Sequence, residues 1–169
     1  MSTTDAAAAV APMYKVGVAF NNTPGSLKAL QTAVDLCMNM KVPYMIYIAF
    51  VVALNPPALL PGMDSIEQGF NTQIHEDAKK ELTECKAHLD VFYRNKANYE
   101  FVNIEGEGDT AQLLKEYFDR DHPDLNLFVV GTTSKTMVGR MFLGSVSDFL
   151  VHNMAVPVLV VKNEPAKAK

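Results

Sequence analysis

The stretch LNLFVVGTTSKTMVGRMFLGSVSDFLVHNM (Leu125–Met154) carries a strand, a long connection and a helix in succession. Leu125–Val130 is a short, almost wholly apolar run, which suits a parallel strand buried on both faces. Val146, Phe149 and Leu150 recur at helical spacing. Between them stand two glycines that matter, Gly131 at the strand end and Gly144 at the helix start. Hydroxyls (Thr132, Thr133, Ser134, Thr136) and positive charge (Lys135, Arg140) fill the span. Two readings compete. Ser145 with Asp148 makes a capping box that starts the helix and needs no ligand. Alternatively, the N–H groups of that helix start, the Ser145 hydroxyl and the loop's own charges form a cradle for phosphate. The stretch is neither a Walker loop nor a GxGxxG fingerprint.

Outward from it, strands and helices alternate. YKVGVAF (Tyr14–Phe20) reads as a strand. NNTPGS then starts a helix, with Asn22 or Thr23 as cap and Pro24 at the first helical position. Leu27, Leu30, Val34, Cys37 and Met38 mark that helix's apolar face. Pro43–Ala53 is a second buried strand, followed by a Pro-rich crossover (Ala53–Ser65). SIEQ (Ser65–Gln68) is a capping box for a long amphipathic helix whose stripe runs through Ile66, Phe70, Ile74, Ala78, Leu82, Cys85, Leu89 and Phe92. Asn98–Glu105 is a third strand, with Tyr99, Phe101 and Asn103 on one side. Leu113, Leu114, Tyr117 and Phe118 mark a third helix, and Pro157–Val161 is the last strand. This order predicts an α/β fold, an open parallel sheet with helices on both faces. Ligands of such sheets sit beyond the carboxyl ends of the strands, where strand order reverses. The loops after the first and fourth strands are therefore the candidates.

The chain has 169 residues, 49% of them hydrophobic, which suits a domain with an ordinary core. A net charge of −4 with no basic face excludes a general nucleic-acid binder. No apolar run reaches the roughly 20 residues of a membrane span. The Ala-rich start lacks the features of a secretory signal. Cys37 and Cys85 fall on apolar helix positions and read as core thiols. A cytoplasmic location is expected. Residues 1–13 and 163–169 read as flexible tails around a domain spanning residues 14–162.

The pattern Gly131-x2-Ser134-x9-Gly144-Ser145 resembles the universal stress protein pattern G-x2-G-x9-G-[ST]. VSDFLVHNMAVPVLVVK (Val146–Lys162), VGVAFNNTPGSLKALQTAVDL (Val16–Leu36) and EGDTAQLLKEY (Glu107–Tyr117) resemble other segments of that family. The resemblance implies a Rossmann-like, five-stranded parallel sheet of order 3-2-1-4-5, of the adenine nucleotide alpha hydrolase type. It implies a homodimer through the last strand. In the ATP-binding branch the phosphates would meet Gly131, Ser134, Gly144 and Ser145, with Val146 and Ser147 alongside. Adenine and ribose would meet Ala19, Phe20, Asn21, Val51 and Val130. ATP, with Mg2+, is the implied cofactor, in a stress response.

Two positions depart from the family pattern. Its acidic residue after the first strand is Asn21 here, and its second glycine is Ser134. Both favour the alternative, a dimeric stress-related interaction protein that binds no nucleotide. An enzyme is the third reading. No general base stands beside the phosphate loop in sequence, so slow ATP hydrolysis is the most it would support and no catalytic residue is assigned. His75, His88, His122 and His152 are scattered and read as surface residues. No Cys/His cluster has metal-ligand spacing.

Overall fold

Tyr14–Ala19 (β1), Tyr44–Leu54 (β2), Tyr99–Glu107 (β3), Leu127–Gly131 (β4) and Val158–Val161 (β5) form one parallel sheet of order β3-β2-β1-β4-β5. A computed structural model describes residues 12–56, 64–132 and 143–163. The helices are Pro24–Met38 (α1), Asp64–Phe92 (α2), Thr110–Asp121 (α3) and Ser145–Asn153 (α4). β1 lies at the centre, with Val16 level with Ile46 of β2 and Leu127 of β4.

Because side chains alternate along a strand, each face of the sheet collects its own core. Val16, Val18, Phe20, Ile46, Ile48 and Phe50 point to one face, where Leu30 and Val34 of α1 and Cys85 and Leu89 of α2 cover them. Tyr47, Ala49, Val102, Ile104, Phe128 and Val130 point to the other, under Leu114 and Phe118 of α3 and Leu150 of α4. Full burial of such side chains contributes about 1.5–3 kcal/mol each. Phe118 and Phe128 also meet edge to face, with ring centroids 5.1 Å apart. The crossovers through α1 and α2 step one way along the sheet, from β1 to β2 to β3, whereas those through α3 and α4 step the other way, from β3 to β4 to β5. Right-handed crossovers then place the two pairs on opposite faces, and the reversal falls between β1 and β4.

Several sequence expectations shift. Met38 is 55% exposed and lies off the apolar face of α1. On α2, Phe70 and Phe92 are exposed, and Tyr93, one residue past its end, takes the last buried place, donating from its hydroxyl to Gln31 Oε1 at 2.9 Å. Burial runs Cys85, Leu89, Tyr93, each four residues from the last. The i,i+4 row, not the i,i+3 step to Phe92, faces the sheet at this end. β3 runs on to Glu107, and its more buried residues are Val102 and Ile104 rather than the Tyr99–Phe101–Asn103 side. α2 begins at Asp64, ahead of the Ser65 expected to cap it.

Two histidines are less exposed than a surface reading implies, each of intermediate burial. His88 is partly buried, its ring centroid 4.6 Å from that of Phe92, and burial lowers its pKa. His122 stacks on Tyr47 with centroids 3.9 Å apart. The cysteines are buried as expected, and burial pushes each thiol up to about 11. Among the described residues no helix is long and apolar enough to cross a membrane.

Candidate functional site

The β1–α1 turn is built first by its own hydrogen bonds. Asn22 adopts φ 54°, a left-handed conformation that Asn tolerates better than most side chains. This lets Thr23 cap α1, with Pro24 opening the first turn. The Thr23 side chain accepts from Ser26 N, and Ser26 Oγ accepts from Thr23 N at 3.1 Å, a reciprocal capping box. Ser26 Oγ also accepts from Asn21 N at 3.3 Å. The Asn21 side-chain oxygen accepts from the Thr23 hydroxyl at 2.8 Å. That bond takes one of the two acceptor sites of the Asn21 oxygen, and the NH2 group remains a donor for other contacts.

The exit of β4 is pressed against this turn. A Cβ on Gly131 would lie 2.1 Å from the carbonyl oxygen of Gly25, and a Cβ on Gly25 would lie 2.5 Å from that of Thr132. Neither glycine needs a positive φ. Both are required because two backbones touch, which sequence reading had assigned to ligand approach at Gly131. Thr132 N donates to Val161 O at 2.9 Å and fixes the strand end from the other side.

The start of α4 differs from the capping-box expectation. Gly144 is the N-cap, with φ −63° and ψ 159°, and no side chain among the described residues caps this helix. Ser145 is the first helical residue and cannot fill the cap. The Ser147 hydroxyl, 2% exposed, donates to Gly144 O at 3.0 Å. That leaves the exposed Ser145 hydroxyl and the first N–H groups of α4 without a side-chain cap. By contrast, Asp109 caps α3 by accepting from Ala111 N at 2.8 Å.

These elements enclose a cavity of about 390 Å3 above the carboxyl ends of β1, β2 and β4. Ala19, Phe20, Asn21, Val51 and Val130 line it from the strands, and Gly131 from the end of β4. Gly144, Ser145, Val146 and Ser147 line it from α4. Sequence reading named all of these. Ser134 lies outside the described residues, as do Lys135 and Arg140.

Other lining residues were missed as site residues. Thr23, Gly25 and Ser26 come from α1 and its cap, Thr110 and Leu114 from α3, and Glu81 from α2. The signal for the first group was present in NNTPGS, read only as a cap. Nothing local marks Glu81, one charged residue on a long wet helix. Among the described residues it is the one ionisable side chain on the cavity wall. Partial burial, and then the neighbouring Glu84, raise its carboxyl pKa. The wall therefore combines an apolar floor, hydroxyls, and the N-terminal ends of three helices, each of which carries partial positive charge.

The universal stress protein family model matches residues 13–162. The chain is 28% identical over 148 residues to the universal stress protein MJ0531 of Methanocaldococcus jannaschii, covering 88% of this chain and 81% of that protein. Among solved structures it resembles the universal stress protein UspA of Lactobacillus plantarum. The TM-score is 0.65 at 18% identity, over 88% of this chain and 97% of the other. It also resembles a universal stress protein family protein from Arabidopsis thaliana with AMP bound. There the TM-score is 0.58 at 18% identity, over 91% and 97% of the two chains.

Proposed function

Because this chain belongs to the universal stress protein family, we propose that its cavity binds an adenine nucleotide, ATP included, and that the domain acts as a regulatory module in a stress response. The observation that carries this reading is the contrast between helix starts. α1 and α3 are capped by Thr23 and Asp109, whereas α4 opens on Gly144 with no side-chain cap among the described residues. Uncapped N–H groups and the helix dipole at the rim of a cavity suit an anion. The volume lies within the range of about 300–1,000 Å3 usual for small-ligand sites. The Arabidopsis neighbour with AMP bound supports the choice of an adenine nucleotide.

In this reading the phosphates lie against Gly144 and Ser145, with Val146 and Ser147 alongside and Gly131 at the strand exit; Ser134, also expected to meet them, lies outside the described residues. Adenine and ribose lie on Ala19, Phe20, Asn21, Val51 and Val130. Asn21 offers its NH2 as a neutral donor in place of a carboxylate. Mg2+ commonly binds through a substrate's phosphates and keeps several of its waters. Ser145 Oγ is the oxygen that this chain would add. No catalytic residue is assigned, since Glu81 belongs to the helix pair on the opposite face from α4. Calorimetric titration with ATP tests the reading. Binding that is lost in Gly144→Val is expected, and no heat up to millimolar ATP would overturn it.

β5 is an edge strand, and pairing with a second copy would satisfy its outer N–H and C=O groups. A homodimer through Pro157–Val161 is part of the proposal. Light scattering after size exclusion is its check, and a monomer at micromolar concentration would sink it.

One observation favours a second reading, a dimeric interaction protein without nucleotide. Among the described residues the cavity wall carries a carboxylate and no lysine or arginine. That protein would purify nucleotide-free and show no thermal shift with ATP. Nucleotide in its heat-released supernatant would rule this out.

A further inference from the structure

The cavity spans the rim of the sheet and is electrically uneven. On the face covered by α3 and α4 it meets the uncapped start of α4, where an anion is favoured. On the face covered by α1 and α2 it meets Glu81, among the described residues the one ionisable group on the wall. Among the described residues none of the ion pairs involves Glu81, and its carboxyl is influenced by burial and Glu84 rather than by a hydrogen-bond partner. Phe20 and Phe50, which belong to the core on that face, also line the wall and are both 2% exposed. The Asn21 side-chain oxygen already accepts from the Thr23 hydroxyl and is a neutral amide acceptor, weaker than a carboxylate. Glu81 is thus the strongest acceptor that the described wall offers to a ligand.

We propose that Glu81 is a specificity residue: it accepts a hydrogen bond from the uncharged, donor-bearing end of the ligand and orients the ligand with its phosphates toward α4. This rests on the nucleotide reading given above. A carboxylate repels phosphate and attracts an amino or hydroxyl donor, so the two ends of the cavity select opposite ends of one molecule. The shared chemistry is an N–H or O–H donor. An adenine has it in the exocyclic amine, and a ribose has it in the 2′- and 3′-hydroxyls. The partly buried site strengthens such a bond, because water competes less for the carboxylate. Burial also raises the Glu81 pKa, so acid should weaken the selection as the carboxylate takes up a proton.

The test is calorimetric titration of the full chain, and of Glu81→Ala and Glu81→Gln, with ATP, ITP, 2′-deoxy-ATP and 3′-deoxy-ATP. Circular dichroism verifies that each variant is folded. The wild-type chain is expected to bind one analogue, the one lacking the donor that Glu81 reads, roughly ten- to a hundredfold more weakly than ATP. Glu81→Ala is expected to lose a similar factor for ATP and to bind that analogue no more weakly than ATP. Glu81→Gln should fall between. Weakened ITP binding identifies the amine as the donor, and weakened deoxy-ATP binding identifies a hydroxyl. Unchanged ATP affinity and analogue ratios in Glu81→Ala would overturn the role of Glu81 while leaving the nucleotide site intact. Tighter ATP binding in that variant would overturn the orientation, because it would place the phosphates beside α2. No binding of any nucleotide by the wild-type chain would overturn both this inference and the reading beneath it.

Discussion

Gly131 and Gly25 meet backbone to backbone, so closely that a Cβ on Gly131 would stand 2.1 Å from the Gly25 carbonyl oxygen. The contact joins the exit of β4 to the first turn of α1, the two elements on either side of the topological reversal. Neither partner can rotate away, because the atoms in conflict are backbone.

Gly131→Ala is therefore expected to destabilise the fold by about 1–3 kcal/mol through overpacking. Gly25→Ala should act in the same direction. Inside a helix, replacing glycine by alanine normally stabilises by about 0.5–1 kcal/mol. Here a Cβ 2.5 Å from Thr132 O outweighs that gain. Urea denaturation reads the effect as a lower midpoint. An unchanged or raised midpoint for either variant would show that α1 and β4 can separate cheaply.

Ser26→Ala should cost about 1–2 kcal/mol. Ser26 is only 6% exposed, and its hydroxyl accepts from Thr23 N and Asn21 N and donates to Thr23 O. Removing it strips donors of their partner in the turn that shapes one cavity wall. Hydrogen exchange at Asn21 and Thr23 is the local readout, and it should quicken. Protection equal to the wild-type value would count against the capping box.

Asn71→Ala should loosen the exit of β2. Its side chain bonds both backbone groups of Asn55, accepting from Asn55 N at 3.0 Å and donating to Asn55 O at 3.3 Å. The pair is exposed, so the stability loss should stay near about 1 kcal/mol. Exchange of the Asn55 amide should quicken while that of Ile48, in the sheet centre, does not. Equal change at both sites would mean global rather than local loosening.

Stability should fall on mild acidification. Burial holds the imidazoles of His88 and His122 below their usual pKa. For His122, Lys15 adds to the lowering, while Glu100, Asp121 and Asp124 oppose it. In the unfolded chain both rings take a proton near about pH 6.5. The folded chain takes it only at lower pH, so between the two values the unfolded state binds more protons. Their contribution is complete above about pH 6.5 and is lost as pH falls through the folded values. The urea midpoint should be level from pH 8 to 7 and decline below about 6.5. His88→Gln with His122→Gln should flatten that decline. A midpoint equally steep in the double variant would assign it to other groups.

Much of the fold was legible because its signals are local. Apolar runs such as Pro43–Ala53 and i,i+3/i+4 spacings such as Leu30, Val34 and Cys37 report which face of an element is buried. The alternation of the two implies a parallel sheet. The misjudged positions share one cause. Met38, Phe70 and Phe92 fit a helical stripe, but burial depends on where a helix leaves the sheet and how it turns over it. His88 and His122 look wet by residue type, and only their packing against Phe92 and Tyr47 says otherwise.

By itself, then, the sequence determined the order of elements, the glycine at each end of Gly131–Gly144, and the two strand-end loops where a ligand would sit. Each of these is a property of neighbours along the chain; the individual strand-end residues came from the family resemblance. Only the tertiary structure decided that Glu81 reaches the cavity from α2 and that Gly25 and Thr110 join it. Only there does Gly131 prove to be glycine because of Gly25. Those relations form between segments far apart in sequence, where crossovers bring strand ends and helix starts to one rim, and no periodicity along the chain encodes that distance.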